Sequence, residues 1–184
     1  MAGKLAILML ALVVLLAANE ADAQTRRKRA VAKDAEPPAP TIPVDKRDRV
    51  VGAPGPYNGR PYWLALSECG GIYFRLNALY TDIAVHARVG KPEPQVNAEY
   101  TRKLNAAMRI ATTFFDGAEQ FLMTDRGLDR LDAVLVYNGP SQAAGDRIKS
   151  IEAALSAVTA CPALYQTCQV AYAKACGVPL TPLS

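Results

Sequence analysis

The sequence has one histidine, one tryptophan and no cysteine before position 69 in a chain of 184 residues. A single histidine excludes a histidine-rich metal centre and leaves any imidazole chemistry to His86 alone. No CxxC pair is present, which removes the usual zinc-ribbon and thioredoxin-type arrangements. No GxSxG elbow or comparable nucleophile signature occurs. Internal repeats are absent, and runs of β-branched residues are few. The longest apolar run, Leu5 to Ala18, is 14 residues, short of the roughly 20 needed to span a bilayer as a helix. No catalytic, cofactor or metal motif emerges, so no cofactor is expected.

What is present is a partition. Lys4 precedes the apolar run, and Asn19, Glu20 and Ala21-Asp22-Ala23 follow it. This is the order of a secretory signal peptide over residues 1–23, cut between Ala23 and Gln24. Export implies a periplasmic or secreted location and an oxidising compartment, so Cys69, Cys161, Cys168 and Cys176 become candidate disulfide partners. No cysteine stands at the end of the leader, which argues against a bacterial lipoprotein. A competing reading starts from Arg26-Arg27-Lys28-Arg29, which outweighs Lys4 across the apolar run. The positive-inside rule would keep that flank cytoplasmic and make the run an inverted anchor.

Residues 24–56 hold six of the 13 prolines and eight Lys/Arg against four acids. Such a segment buries too little apolar surface to offset chain entropy, so a disordered basic Pro/Ala-rich linker is expected. Arg26, Arg27, Lys28 and Arg29 are its candidates for weak adhesion to an anionic surface. They also resemble in order a dibasic processing site, with Lys46-Arg47 as a second. Processing would leave a chain that begins at Ala30 or Asp48. Residues 57–184 carry twelve Lys/Arg against eleven acids. A balance so near neutral is not that of a nucleic-acid-binding domain.

The body, residues 57–184, is alanine-rich and periodic at helical spacing, and an all-α bundle of four to five helices stapled by disulfides is expected. A first helix is predicted from about Leu64 to Val89, with Cys69, Ile72, Leu76, Leu79, Ile83 and His86 on one stripe. Gly70-Gly71 weakens its start but lets another backbone approach closely. Past Gly90-Lys91-Pro92-Glu93-Pro94, a second helix is predicted to about Met123, with Val96, Tyr100, Leu104, Met108, Ala111, Phe115, Ala118 and Leu122 buried. A shorter helix is predicted over 128–137, with Leu131, Val134 and Leu135 inward and Asn138-Gly139-Pro140 as its stop. Ser141 is predicted to cap a third long helix carrying Ala144, Ile148, Ile151, Leu155 and Val158. A last helix follows Cys161-Pro162, with Tyr165, Cys168 and Tyr172.

Disulfide geometry constrains the cysteines. Cα atoms must lie about 4.4–6.8 Å apart, whereas seven or eight residues along a continuous helix span roughly 10–12 Å. Two solutions satisfy this. In one, Pro162 opens a turn, Cys161 folds back on Cys168, and Cys69 takes Cys176. In the other, Cys69 bonds Cys161 or Cys168, and the remaining pair closes through a frayed end or between chains.

The candidate chemistry is sparse. His86 is a possible general base, but it sits on an apolar stripe and more simply bonds a neighbour. Asp125, Asp129 and Asp132 align at i, i+4 and i+7, yet Arg126 and Arg130 lie beside them, which describes a salt-paired face. Tyr57, Tyr62 and Trp63 form either a sugar or peptide platform or the lid over one end of the bundle. Phe114, Phe115 and Phe121 alternate around one helix and are mostly core, with an exposed patch that meets a partner as the alternative for Phe114. The expected function is a non-catalytic exported module that binds or scaffolds an unknown protein or component of the envelope or periplasm. The alternatives are a small periplasmic enzyme or accessory subunit using His86 and the acidic face, and a secreted precursor cut at basic sites.

Overall fold

The computed structural model describes residues 45–89 and 93–183, and the leader, the residues before Asp45 and the 90–92 linkage lie outside them. Among the described residues five helices follow in order: α1 (Tyr62–His86), α2 (Pro94–Arg126), α3 (Arg130–Asp146), α4 (Ile151–Ala157) and α5 (Cys161–Ala171). The protein is all-α, as its periodicity indicates. Among the described residues the only β pairing is an isolated bridge between Val50 and Pro61.

α1 is the central element. More than half of its 25 residues are buried, including the unbroken run Cys69-Gly70-Gly71-Ile72-Tyr73. A helix apolar on most sides must be covered on most sides, and α1 packs against each of the other four helices. α2 runs antiparallel to it. Tyr80 pairs with Tyr100 at 5.7 Å, Tyr73 stacks on Phe114 at 5.7 Å, and Tyr62 stacks on Phe121 at 5.0 Å. Two amides cross the seam: Asn97 donates to the Ala84 carbonyl and Asn77 to the Leu104 carbonyl, each at 2.8 Å. The buried arc of α2 also takes in Ala107, Ile110, Phe114 and Phe121, while Met108 is exposed. The shift arises because α2 is covered by both α1 and α3.

α3 departs most from expectation. It continues through Pro140 to Asp146, although a proline inside a helix costs about 3 kcal/mol. Packing against α1 overrides that cost. A Cβ built on Gly71 would fall 1.9 Å from the Ser141 carbonyl oxygen, and one on Gly145 would fall 3.0 Å from the Gly71 carbonyl oxygen. The two backbones therefore touch at Gly71, Ser141 and Gly145. Ala133 and Ala144 complete the buried face. Leu131 and Leu135, expected inward, are 76% and 74% exposed, because the small residues and not the leucines face the core.

The chain then leaves the helical path at 147–149 and buries Ile148. The Ile148 carbonyl accepts from Arg75 Nε at 3.1 Å. Ser150, rather than Ser141, caps the next helix by accepting from the Ala153 amide at 3.2 Å. This break re-phases α4, so that Ala154 is buried and Leu155 is largely exposed.

Residues 45–56 correct the expected linker. They do not form a free tether but a strap that folds back along residues 57–61. The Val51 amide donates to the Arg60 carbonyl at 2.9 Å and the Tyr62 amide to the Arg49 carbonyl at 2.9 Å. The only deeply buried apolar side chain of the strap is Val51. Charge holds the rest. Asp48 pairs with Arg126 at 2.6 Å, and Arg49 pairs with Asp125 at 2.6 Å. Burial pushes the Asp48 carboxyl up, but hydrogen bonding and charge from Arg126 outweigh it, and the group ends below its ordinary value. Arg47 likewise holds Asp45 well below the carboxylate range.

A carboxylate with a lowered folded-state pKa binds fewer protons folded than unfolded. Its contribution is complete above about pH 4 and is lost as pH falls toward the folded value. The strap is therefore expected to release below about pH 4 while the bundle stays folded. Asp48→Asn should reproduce that release at neutral pH, with a cost of about 2–3 kcal/mol, because Asp48 accepts two charge-assisted hydrogen bonds from a largely buried Arg126. Hydrogen exchange at the Val51 and Tyr62 amides reads the release. Protection unchanged in Asp48→Asn would show that backbone bonding alone holds the strap.

Candidate functional site

The sites expected from sequence are scattered. His86 lies exposed at the C-terminal end of α1, with Nδ1 2.6 Å from the Asp82 carbonyl oxygen. Asp125 is at the far end of α2, a helix of 33 residues and so roughly 50 Å long. The antiparallel hairpin holds these two groups at opposite ends. Asp125 is bonded to Arg49, and Asp129 caps α3 by accepting from the Asp132 amide at 2.9 Å. No group of three or more His, Cys, Asp or Glu side chains gathers among the described residues. Ala23, Gln24, Arg26, Arg27, Lys28 and Arg29 lie outside those residues. At the second dibasic position, Arg47 is tied to the Asp45 carboxylate and to the Arg126 carbonyl.

The four cysteines form two disulfides, Cys69–Cys161 with Cα atoms 5.9 Å apart and Cys168–Cys176 with Cα atoms 5.8 Å apart. Cys161 and Cys168 share the continuous helix α5 and cannot meet. Pro162 occupies the first turn of that helix, where its missing N–H is not needed, so the solution that used it as a turn is overturned. The chain leaves α5 at Tyr172, and the Cys176 amide returns to the Tyr172 carbonyl at 3.1 Å. That reversal brings Cys176 back to Cys168. The Tyr57 hydroxyl lies 3.2 Å from Cys69 Sγ and 3.4 Å from Cys161 Sγ, and burial raises its pKa.

Tyr62 and Trp63 are buried. Tyr172 meets Tyr62 edge-on at 5.2 Å, and Arg49 lies 4.5 Å over Phe121 and 4.8 Å over Tyr172. Arg126 covers Trp63 at 4.8 Å. Aromatics and guanidinium groups close this end of the bundle, which leaves Tyr62 and Trp63 no open face for a ligand.

The open site is elsewhere. A cleft of about 550 Å³ lies between α1 and α3, with Phe115 of α2 contributing to its wall. Phe115 stacks on Tyr137 at 5.4 Å, with their planes 14° apart. Gly70 makes room for that ring, since a Cβ there would fall 2.5 Å from Phe115. Phe74, 51% exposed, forms another wall. Asn138, Gln142 and Asp146 supply polar groups. Burial, followed by the charges of Glu119 and Asp116, raises the pKa of Tyr137, which keeps its hydroxyl protonated as a donor. The Arg75 side chain is fixed by its bond to Ile148 and retains donors at its terminal nitrogens.

Leu131, Val134, Leu135, Asn138 and Gln142 step by three and four along α3 and so share one face. The exposed leucines therefore extend the cleft toward the N-terminal end of α3. Sequence reasoning missed this surface. The signal that finds it is the row of small residues Ala133, Ser141, Ala144 and Gly145, which fixes the inward face of α3 and turns the leucines outward. No helix among the described residues is long and apolar enough to cross a membrane. Comparison with protein-family models, curated proteins and solved structures finds no match for this chain.

Proposed function

We propose that this protein is an exported, non-catalytic helical module of the cell envelope or periplasm, which binds or scaffolds another component through the face of α3. The observation that carries the reading is the aromatic cleft continued by Leu131 and Leu135, both about three-quarters exposed. Contiguous apolar surface of this kind, rimmed by polar groups, marks interaction sites. Two disulfides support export, because such bonds persist in oxidising compartments.

A photoreactive benzophenone residue at Leu135, introduced in cells that make the protein, tests the reading. A discrete adduct is expected from Leu135 and none from the same group at Gln166, an exposed position on α5. Equal labelling from both positions, or none from either, would remove α3 as the binding face.

A further inference from the structure

The cleft is not uniform along its length. At the level of Gly71 its walls are aromatic. Phe115 stacks on Tyr137, and Phe74 stands half-exposed beside them. Four residues further along α1, roughly 6 Å, the walls become charged. Arg75 reaches in from α1 and Asp146 from α3, and both line the cleft. The two helices are close at this end, since a Cβ on Gly145 would fall 3.5 Å from the Arg75 Cβ.

Arg75 and Asp146 do not neutralise each other. Among the described residues no ion pair joins them, and neither pairs with another charged side chain. Arg75 Nε is held by the Ile148 carbonyl, two residues past Asp146. That bond fixes the guanidinium and leaves its terminal nitrogens as donors. Asp146 is exposed, and its carboxylate accepts no hydrogen bond among the described residues. Arg147 and Lys149, the other charged groups of this turn, do not line the cleft.

A separated cation and anion at one end of an aromatic cleft are complementary to a ligand with both charges at one end of an apolar body. We propose that the cleft binds a free α-amino acid with an aromatic side chain. Its carboxylate takes the Arg75 donors, its ammonium takes Asp146, and its ring enters between Phe74 and Phe115. A side chain of phenylalanine length covers the single helical turn from the charged end to the aromatic walls. Charge-assisted hydrogen bonds and ring stacking supply the affinity. The volume of about 550 Å³ falls in the range of small-molecule sites. A residue inside a peptide chain carries neither charge, so the site selects the free amino acid. This ligand presupposes the α3 face as the binding surface proposed above and fills its cleft half, leaving Leu131 and Leu135 to the larger component.

Isothermal titration calorimetry of the full chain, purified with both disulfides formed, tests the proposal with L-phenylalanine. Saturable binding is expected. Phenylpropionate lacks the ammonium and phenethylamine lacks the carboxylate. Each should bind about tenfold or more weakly, the loss expected for one charge-assisted hydrogen bond. L-Glutamate keeps the charged head without the apolar body and should give no binding heat. Asp146→Asn should weaken L-phenylalanine about tenfold and should not weaken phenylpropionate. Arg75→Gln should weaken L-phenylalanine and spare phenethylamine. Asp146 is exposed, so Asp146→Asn still decides the matter if loss of the Ile148 contact unfolds the Arg75 variant.

No binding of L-phenylalanine, L-tyrosine or L-tryptophan up to about 5 mM, where even a millimolar site is occupied, would overturn the proposal. So would phenylpropionate binding as tightly as L-phenylalanine, or an Asp146→Asn protein unchanged toward L-phenylalanine. The benzophenone adduct at Leu135 separates this failure from that of the underlying reading. An adduct without amino-acid binding overturns the ligand and leaves α3 a binding face. Absence of both removes the two readings together.

Discussion

Gly71→Ala is expected to destabilise the fold by about 3 kcal/mol or more, at the upper end of what overpacking a core costs. The added methyl would sit 1.9 Å from the Ser141 carbonyl oxygen, with the Ser141 carbonyl carbon and Cα at 2.6 and 2.8 Å. These are backbone atoms, so no rotamer change relieves the clash. α3 must move away from α1, and the contact of Gly145 with Gly71 goes with it. Gly139→Ala is the matched control. Apart from its two chain neighbours, nothing lies within 4 Å of a Cβ at that position, and it too is inside a helix. Helix propensity favours alanine there by up to about 1 kcal/mol, and crowding of the new methyl by the Pro140 ring offsets part of that gain. The two substitutions are chemically identical and opposite in expected sign. For a body of this size, the Gly71 variant should melt roughly 10 °C lower. Thermal unfolding followed by circular dichroism measures both. A loss at Gly71 no larger than the gain at Gly139 would mean that α3 is not seated on α1 as described.

The same contact explains where the sequence is legible and where it is not. The α1–α2 hairpin follows from local pattern, because each helix has a long apolar stripe and a proline-rich break separates them. α3 does not. Pro140 and the leucines at 131 and 135 obey local rules that point to a helix end and an inward face, and both indications fail. The determining residues are Gly71 and the row Ala133, Ser141, Ala144 and Gly145, whose smallness has meaning only once two backbones are known to touch. Residues 45–56 are hidden for a different reason. A segment held by Asp48–Arg126, Arg49–Asp125 and backbone hydrogen bonds carries no hydrophobic period. The cleft is hidden for a third, since Phe74, Phe115 and Tyr137 come from three helices and meet only in the fold.

The cysteine spacing narrows the pairings without choosing among them, and the pairing adopted has a measurable consequence. Cys69–Cys161 joins residues 92 apart in sequence, whereas Cys168–Cys176 joins residues 8 apart. If disulfides act by restricting the unfolded chain, the long loop contributes about 4–5 kcal/mol and the short one about 2.5 kcal/mol. Removal of the long bridge as Cys69→Ala with Cys161→Ala is therefore expected to cost more by about 2 kcal/mol than Cys168→Ala with Cys176→Ala. Both bridges are fully buried, so exposure does not distinguish them. Both sulfurs of the long bridge lie beside the Tyr57 hydroxyl and tie α1 to α5, while the short bridge staples a C-terminal reversal whose Tyr172 packs edge-on against Tyr62 and Phe121. Urea unfolding of the two double variants decides the matter. A more stable Cys69/Cys161 variant, or equal losses in the two, would show that loop entropy does not set the order. The short bridge would then act as a clamp on the folded α5 terminus rather than as a restraint on the unfolded chain.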